Sequence, residues 1–261
     1  MAEIVITANP EAAAELAAGA ILDMIESKPD AVLGLATGST PLATYGALSR
    51  GIAQRQLDVS RVRGYALDEY VGLAEGHPES YRAVITREVV EPLGLTPSLV
   101  HVPHGALATI EHAGADYERE LSASGGVDIQ LLGIGTDGHI GFNEPGSSFG
   151  SITRVKTLTE QTRRDNARFF GSEDEVPMHC ITQGLSTIMK ARHLILLAFG
   201  AGKAQAVAGA VEGPVSAFNP ASAIQLHPHV TVLLDSAAAV DLKNREYYEH
   251  AYRNKPAWQR L

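Results

Sequence analysis

The chain has 261 residues, of which 45% are hydrophobic and 20% are charged, and its formal net charge is −9 at pH 7. This composition is that of a folded globular protein, and the acidic balance argues against nucleic acid as the main partner, because a phosphate backbone requires a basic surface. No apolar run approaches the length of a membrane span, and no signal-peptide pattern precedes the first apolar run. The single cysteine, Cys180, cannot form an intrachain disulfide, so we expect a cytoplasmic protein.

Short apolar runs alternate along the chain with Ala-rich or amphipathic segments. The predicted strands are Glu3–Thr7, Ala31–Ala36, Val62–Leu67, Leu99–Val102, Val127–Gly133, Arg154–Leu158, His193–Ala198 and Val230–Leu234. The predicted helices are Pro10–Ser27, Pro41–Gln54, Glu79–Glu91, Thr109–Ser122, Glu160–Phe170, Thr182–Lys190 and Lys203–Val211. Strands that are apolar on both faces are typical of a parallel sheet covered by helices. The pattern therefore predicts a doubly wound α/β fold, in which ligands bind at the carboxyl ends of the strands.

Polar residues follow the second predicted strand, in the segment Thr37-Gly-Ser-Thr-Pro41. Free backbone N–H groups and the hydroxyls of Ser39 and Thr40 at a helix start form an anion cradle, and Gly38 allows close approach. The same residues also suit an ordinary capped turn, so both interpretations stay open. The segment is not a Walker A loop, since no Gly-Lys-Ser/Thr follows at the required spacing.

Two adjacent carboxylates, Asp68 and Glu69, follow the third predicted strand. A buried charge is costly unless it is paired, so packing alone rarely places two carboxylates at such a position. One of them could act as a general base while the other orients a partner, and an ordinary acidic loop is the alternative.

The segment from Gly133 to Pro145 sets Asp137, His139 and Glu144 among glycines at the end of another predicted strand. An imidazole flanked by two carboxylates is a proton-transfer device. The segment also contains the G-x-G-x-x-G pattern of dinucleotide sites, but the residues that follow do not resemble a helix, so the pyrophosphate would lack its binding site.

Two cations could receive an anionic ligand, Lys203 at a strand-to-helix junction and Arg168, although each could also be a surface charge. The histidine pairs His101-x-x-His104 and His227-Pro-His229 lack the further ligands of a zinc site. The sequence therefore predicts no metal.

With these residues assembled, the chain closely resembles the glucosamine-6-phosphate deaminase family over nearly its whole length. The motifs that carry the resemblance are Gly34-Leu-Ala-Thr-Gly-Ser-Thr-Pro41, Leu67-Asp-Glu-Tyr-Val-Gly-Leu73, Gly135-Thr-Asp-Gly-His-Ile-Gly-Phe-Asn-Glu-Pro145, Thr153-Arg-Val-Lys-Thr-Leu158, Asn166-Ala-Arg-Phe-Phe170 and Ala210-Val-Glu-Gly213. The resemblance implies a Rossmann-like, three-layer α/β/α fold with a mostly parallel sheet, in a single domain over residues 1–261. It also implies conversion of glucosamine 6-phosphate and water into fructose 6-phosphate and ammonia, without a cofactor.

The resemblance also implies the site residues. His139 looks like the acid/base that opens the sugar ring, with Asp137 and Glu144 as its partners, and Asp68 looks like the base that moves a proton from C2 to C1. The residues that look like the clamp on the 6-phosphate are Gly38, Ser39, Thr40, Arg168 and Lys203.

Some family members are hexamers that N-acetylglucosamine 6-phosphate activates, and the residues that match this allosteric pattern are Ser147, Arg154, Lys156 and Thr157. The C-terminal segment departs from that pattern around Tyr248. The sequence therefore does not decide between a monomer and a hexamer. It also leaves open whether N-acetylglucosamine 6-phosphate activates the protein.

Two other functions compete with the deaminase. The first is a 6-phosphogluconolactonase, a hydrolase that resembles this family in fold and in its Asp-Gly-His element, but Ile140-Gly-Phe-Asn-Glu-Pro145 differs from the continuation expected there. The second is a sugar-phosphate-responsive regulator, which would need a DNA-binding extension for which this acidic chain leaves no room.

Overall fold

The computed structural model describes residues 2–256, 258–259 and 261. Its strands are β1 (Glu3–Thr7), β2 (Val32–Leu35), β3 (Arg63–Ala66), β4 (Asp68–Tyr70), β5 (Val100–His101), β6 (Ile129–Leu132), β7 (Arg154–Thr157), β8 (His179–Thr182), β9 (His193–Ala198) and β10 (Val230–Asp235). Its α-helices are α1 (Pro10–Ser27), α2 (Leu42–Arg55), α3 (Tyr81–Ile85), α4 (Glu91–Leu93), α5 (Ile110–Ala123), α6 (Glu160–Asn166), α7 (Leu185–Ile188), α8 (Ala204–Val211) and α9 (Arg245–Arg253).

Seven parallel strands form the central sheet in the order β1-β10-β9-β6-β2-β3-β5. The chain moves towards the β5 edge through α1 and α2, which pack against each other, and back towards the β1 edge through α5 and α8. Because such crossovers are right-handed, the two sets of helices cover opposite faces of the sheet. The predicted three-layer α/β/α class with a mostly parallel sheet is confirmed.

Local chemistry explains why these elements form where the sequence predicts them. Helix α1 begins after Asn9, whose side chain accepts the backbone N–H of Ala12 at 2.8 Å, and Pro10 occupies its first turn. Four of its alanines and Ile21 are buried, and β9 is buried along its whole length. Both faces of the sheet therefore lie in the core, as expected for a covered parallel sheet.

A second sheet of three strands, in the order β4-β8-β7, was not predicted. The predicted strand Arg154–Leu158 forms as β7, but it pairs antiparallel with β8 in this small sheet and takes no part in the central one. The predicted helix Thr182–Lys190 is wrong at its start, because Thr182 ends β8 and only Leu185–Ile188 is helical. Between them Gly184 lies against the backbone of Ser151, where a Cβ would come within 2.2 Å of a carbonyl oxygen.

Other helices differ from the predicted ranges at their ends. The predicted helix Glu79–Glu91 is built from α3, a π-helical stretch Thr86–Val90 and α4, and the predicted strand Leu99–Val102 is reduced to β5 after a 3₁₀ turn. Helix α9 was not predicted, and Tyr248 and Tyr252 attach it to the core. Among the described residues, no helix is both long enough and apolar enough to cross a membrane.

Three histidines lie at the amino ends of β9 and β10, away from the carboxyl ends of these strands. The rings of His193 and His229 stack with centroids 3.7 Å apart, and His193 Nε2 lies 2.9 Å from the hydroxyl of Thr231. Burial lowers the pKa of His193 to about 3, and the electrostatic effects of His229, His227 and Lys255 act in the same direction. His193 is therefore neutral in the folded protein near neutral pH.

We expect this neutral histidine to make stability depend on pH. Between about pH 6.5 and 3 the unfolded chain binds a proton at His193 that the folded protein does not, so stability falls as the pH is lowered. Between pH 8 and pH 5 the wild type should lose roughly 2 kcal/mol more unfolding free energy than His193→Gln does. Urea unfolding at both pH values measures this difference. The exposed His250→Gln variant is the control, and an equal loss in the wild type and His193→Gln would contradict the expectation.

Candidate active site

A cavity of about 580 Å³ opens at the carboxyl ends of the central strands. Its lining includes the residues that follow β2, β3, β6 and β9, so four segments that are distant in the chain meet there. The crossover direction reverses between β2 and β6, and ligands in doubly wound folds bind at such a point. A smaller cavity of about 250 Å³ between α1 and α2 is lined by surface groups such as the ion pair Arg50–Glu15. The larger cavity is the candidate site.

Asp68 is the first residue of β4 and lies at the wall of this cavity, where it is only 5% exposed. Burial, together with the neighbouring charge of Glu69, raises its pKa to about 7, although His139 and hydrogen bonds from Thr182 and Phe142 favour the ionised form. A carboxyl that titrates near neutral pH in a largely dry site suits a general base.

Glu69 faces away from the cavity and has a structural role. Its Oε1 accepts the backbone N–H groups of Tyr70 and Tyr81, both at 2.8 Å, and its Oε2 accepts that of Arg82 at 3.0 Å. The side chain therefore satisfies the free N–H groups at the start of α3. Of the two adjacent carboxylates, only Asp68 lines the cavity.

His139 lies between two carboxylates. Its Nδ1 is 2.8 Å from Asp137 Oδ1 and 3.6 Å from Glu144 Oε2; the first contact lacks the alignment of a hydrogen bond, and the second is too long for one. Burial lowers the pKa of His139, but Asp137 and Glu144 outweigh this and raise it to about 9. Burial raises the pKa of the Asp137 carboxyl. The opposing effect of the His139 imidazolium is larger and holds the pKa of Asp137 well below its usual range. The histidine is therefore a cation at neutral pH, held by charge rather than by one strong bond.

The glycines of this segment make room for the histidine. A Cβ at Gly135 would lie within 2.6 Å of three atoms of the His139 ring, so only glycine lets the imidazole lie against the backbone. Gly138 has φ of +87°, and a Cβ there would meet the side chain of Asn219 at 2.5 Å. No helix follows, as predicted, since Ile140 and Asn143 form an isolated bridge instead. In this protein the pattern G-x-G-x-x-G makes room for the ring of His139.

The predicted phosphate residues line the other part of the cavity. Gly38, with φ of +89°, Ser39 and Thr40 lie just before α2, whose first residue is Leu42 and whose start has no side-chain cap. Free N–H groups at a helix start attract anions. The alternative of a side-chain-capped turn is thus not what the structure shows.

Two cations stand beside this loop at the cavity. Burial lowers the pKa of the half-buried Lys203, with Arg168 acting in the same direction and Asp165 opposing it. The Arg168 guanidinium is exposed and lies 4.8 Å from the ring centre of Phe169. The two side chains and the loop Gly38–Thr40 line the same cavity as Asp68 and His139.

Four residues were also predicted to form an allosteric site. Ser147 is buried and donates its hydroxyl to the carbonyl of Glu144 at 2.6 Å, directly behind the histidine segment. Arg154, Lys156 and Thr157 lie on β7, the edge strand of the small sheet, where Thr157 Oγ1 is 3.2 Å from His179 Nδ1. None of them lines the cavity, and the allosteric site stays a prediction. Tyr248 donates its hydroxyl to Glu212 at 3.0 Å and so fixes α9.

Several residues of the site were missed by the sequence analysis. The aromatic wall of the cavity is formed by Tyr70, Tyr81, Phe142 and Phe170, whose rings contact one another. Asn166 donates to the hydroxyl of Tyr70 at 3.0 Å and so ties α6 to this wall. Tyr70, Phe142 and Phe170 lie inside the motifs that carry the family resemblance, and this position is the signal that could have identified them.

The histidine segment also has the composition of a cation site. Among the residues that the structure describes, Asp137, His139 and Glu144 are the one group of histidine, cysteine and carboxylate side chains with ligand atoms close enough together for a metal, within 4.8 Å. We assign this cluster to proton transfer because the imidazole is itself the cation between the carboxylates. The predicted absence of a metal stays a prediction.

The fold and this site agree with comparisons to known proteins. The family model for "Glucosamine-6-phosphate isomerases/6-phosphogluconolactonase" matches residues 7–233, and the chain belongs to this family of sugar-phosphate enzymes. A glucosamine-6-phosphate deaminase of Bifidobacterium longum is 59% identical, with 99% of each chain covered.

Solved structures of similar fold include proteins with each of the two activities. A monomeric glucosamine-6-phosphate deaminase superposes with a TM-score of 0.89 at 43% identity, covering 92% of this chain and 99% of the other. A 6-phosphogluconolactonase from Trypanosoma brucei has a TM-score of 0.73 at 22% identity, covering 93% and 99%, and this likeness shows the shared fold alone. The resemblance drawn from the sequence is therefore confirmed.

Proposed function

We propose that the protein converts glucosamine 6-phosphate and water into fructose 6-phosphate and ammonia. The observation that carries the proposal is the convergence of Asp68, His139 and the loop Gly38–Thr40, at the uncapped start of α2, on one cavity. The relatives named as deaminases support it, because they match the chain over nearly its full length. The net reaction is an aldose–ketose isomerisation coupled to hydrolysis of a C–N bond, in a single domain over residues 1–261.

The phosphate end of the cavity fixes the substrate. A dianion at Gly38, Ser39 and Thr40 receives backbone N–H groups at the start of α2, and Lys203 and Arg168 supply two positive charges. Holding the phosphate fixes the positions of C1 and C2 relative to the reacting groups.

His139 opens the sugar ring. As an imidazolium it donates a proton to the ring oxygen while the C1–O5 bond breaks, and it recovers a proton from the anomeric hydroxyl, which becomes the aldehyde. The histidine thus ends in its starting state. Asp137 and Glu144 keep it protonated and oriented, and Thr159 holds Glu144 by its backbone N–H and hydroxyl, at 3.2 and 3.3 Å from Oε1.

Asp68 then moves a proton along the open chain. Its carboxylate takes the proton from C2 while the aldehyde oxygen O1 gains a proton from the substrate's own ammonium group, which forms an enolamine. Asp68 then returns its proton to C1, which gives a ketose-level imine in its protonated form. Water adds to C2 of the imine, and the C–N bond breaks to release ammonia and leave the ketone. Because the pKa of Asp68 lies near 7, a large fraction is ionised at neutral pH, and its conjugate acid is still strong enough to return the proton.

An assay with two substrates tests the proposal. The purified protein is given glucosamine 6-phosphate while ammonia is measured, and separately 6-phosphogluconolactone while loss of the lactone is measured. We expect ammonia with the first and only the spontaneous rate with the second. Lactone hydrolysis without ammonia would overturn the proposed function.

Four finer points belong to the same proposal. We expect no cofactor, because every step above uses side chains of this chain and water. We also expect a cytoplasmic location, since the single thiol, Cys180, is buried and free. Monomer and hexamer both stay open, as does activation by N-acetylglucosamine 6-phosphate. The mass of the protein in solution decides the oligomeric state. The ammonia assay with and without N-acetylglucosamine 6-phosphate decides whether that compound activates the protein.

The phosphate clamp predicts a binding defect. Lys203→Met removes a half-buried charge, and a charge-assisted hydrogen bond contributes about 1.5–3 kcal/mol, so KM for glucosamine 6-phosphate should rise roughly 10- to 100-fold. The inhibition constant of inorganic phosphate should rise in parallel, while kcat should fall less. The exposed Lys190→Met variant is the matched control. An unchanged KM in Lys203→Met would remove this lysine from the clamp.

A further inference from the structure

Thr182 is a completely buried hydroxyl that stands beside the proposed base. It ends β8 and is the direct cross-strand partner of Asp68, the first residue of β4. Its Oγ1 accepts the backbone N–H of Phe142 at 3.1 Å. The hydroxyl therefore lies where β4, β8 and the histidine segment meet.

The proton of this hydroxyl has two acceptors within reach. One is the carbonyl of Gln183, at 3.4 Å, which is long for a hydrogen bond from a hydroxyl. The other is the carboxylate of Asp68, the cross-strand partner of Thr182; Thr182 and the N–H of Phe142 both lower the pKa of Asp68 and so favour its ionised form. The geometry directs the proton to Asp68, because a charged acceptor forms the stronger bond.

The surrounding backbone holds this arrangement in place. Gln183 donates its backbone N–H to Leu67 at 2.7 Å and its side-chain amide to Ala66 at 3.0 Å, on the two residues before Asp68. Asn143 donates to the carbonyl of Gln183 at 2.8 Å, which ties the histidine segment to β8. A buried network of this kind fixes the position of the carboxylate.

Gly141 completes the contact. It has φ of +54°, and a Cβ there would lie 3.0 Å from Thr182 Oγ1 and 3.5 Å from Asp68 Oδ2. The two oxygen atoms therefore border the same small space, which a side chain at this position would crowd. Glycine keeps it free for the hydroxyl and the carboxylate.

We propose that Thr182 is a positioning residue for the reaction: its hydroxyl donates to the carboxylate of Asp68 and orients it towards the substrate. This inference rests on the proposed function. The other charged or titratable groups that act on Asp68 or are acted on by it are Glu69, His139, Tyr70, Tyr81, Tyr117 and Cys180. Only Glu69 and His139 carry a charge near pH 7, because burial raises the pKa of the tyrosines and of the thiol.

The test compares Thr182→Val, which keeps the shape but lacks the hydroxyl, with Thr182→Ser, which keeps the hydroxyl. Loss of a donor to the ionised form raises the pKa of a carboxyl, so the acid limb of kcat/KM against pH should move upward in Thr182→Val by about 0.5–1 pH unit. At pH 6 this is roughly a 3- to 10-fold loss, which is largely recovered above pH 8.5. In Thr182→Ser the limb should stay in place.

Thr187→Val is the matched control, because Thr187 is a buried threonine that donates to a carboxylate, Glu118, outside the cavity. It should lower the melting temperature and leave the pH profile unchanged. If Thr182→Val does not fold, Thr182→Ala also lacks the hydroxyl and takes its place. A wild-type acid limb in the variant without the hydroxyl, or an equal shift in Thr182→Ser, would overturn the inference.

A second measurement separates this inference from the proposed reaction. The carboxyl of Asp68 is titrated by infrared difference spectroscopy without substrate, with Asp68→Asn identifying its band. Its pKa should be higher in Thr182→Val than in the wild type whether or not ammonia is released. A shifted band with no ammonia from glucosamine 6-phosphate would therefore reject the reaction alone, and an unshifted band would reject the role of Thr182 alone.

Discussion

Asp68→Asn should lower kcat for ammonia release from glucosamine 6-phosphate by about 10²–10⁴-fold, the usual contribution of a positioned general base. The amide keeps the shape of the side chain but cannot accept the C2 proton. KM should change little, because Asp68 is not one of the groups that we propose to bind the phosphate. Initial rates over a range of substrate concentrations measure both constants.

Stability distinguishes this loss from unfolding. Asp68 is 5% exposed and burial raises its pKa, so its ionised form is destabilised in the folded protein and the neutral amide should not lower the melting temperature at pH 8. Substrate should still protect the variant against heat. Glu79→Gln, which removes a carboxylate from the same cavity, is the matched control and should change kcat by less than about 3-fold. Wild-type turnover in Asp68→Asn would remove Asp68 as the base.

His139→Gln should lower kcat with the closed pyranose substrate by about 10²–10³-fold, because glutamine cannot donate a proton to the ring oxygen. A linear analogue, 2-amino-2-deoxyglucitol 6-phosphate, has no ring to open, so its inhibition constant should stay within a few-fold of the wild-type value. Turnover and inhibition are measured on the same preparation. Equal losses for the ring and the linear compound would show that His139 binds the sugar and does not open it.

The same variant should show a pH-dependent loss of stability. The pKa of His139 is raised from its ordinary value of about 6.5 to about 9, so its stabilising effect is complete below pH 6.5 and disappears as the pH rises through 9. The unfolding free energy of His139→Gln should therefore fall short of the wild type by more at pH 6 than at pH 9.5. A difference that grows with pH would contradict the imidazolium between Asp137 and Glu144.

The central sheet could be predicted from the sequence because its strands are apolar on both faces and are separated by long helical patterns. Helix α1 was predicted at its observed bounds, since Asn9 and Pro10 mark its start. The small sheet could not be predicted in this way. Its strand β8 has only four residues, His179–Thr182, and is held by β4 and β7 from distant parts of the chain rather than by its own pattern.

The candidate site could also be predicted only in part, because some of its contacts join distant parts of the chain. Asp68, His139, Gly38 and Lys203 each follow a strand of the central sheet, so the rule for doubly wound folds brings them to one edge. The residue types alone did not distinguish Glu69 from Asp68, and only the family resemblance named Asp68. The structure supplies the physical reason, since Glu69 accepts N–H groups of α3 while Asp68 lines the cavity. Thr182 was missed because it lies next to Asp68 only through the pairing of β8 with β4.

A crystal structure with 2-amino-2-deoxyglucitol 6-phosphate tests most directly whether one hexose reaches all these groups at once. We expect the phosphate at Gly38–Thr40 and Lys203, and C2 about 3–3.5 Å from a carboxylate oxygen of Asp68, the distance of a reactive arrangement. We also expect His139 beside the O5 end of the same chain. A phosphate bound outside the loop, or C2 turned away from Asp68, would contradict this arrangement.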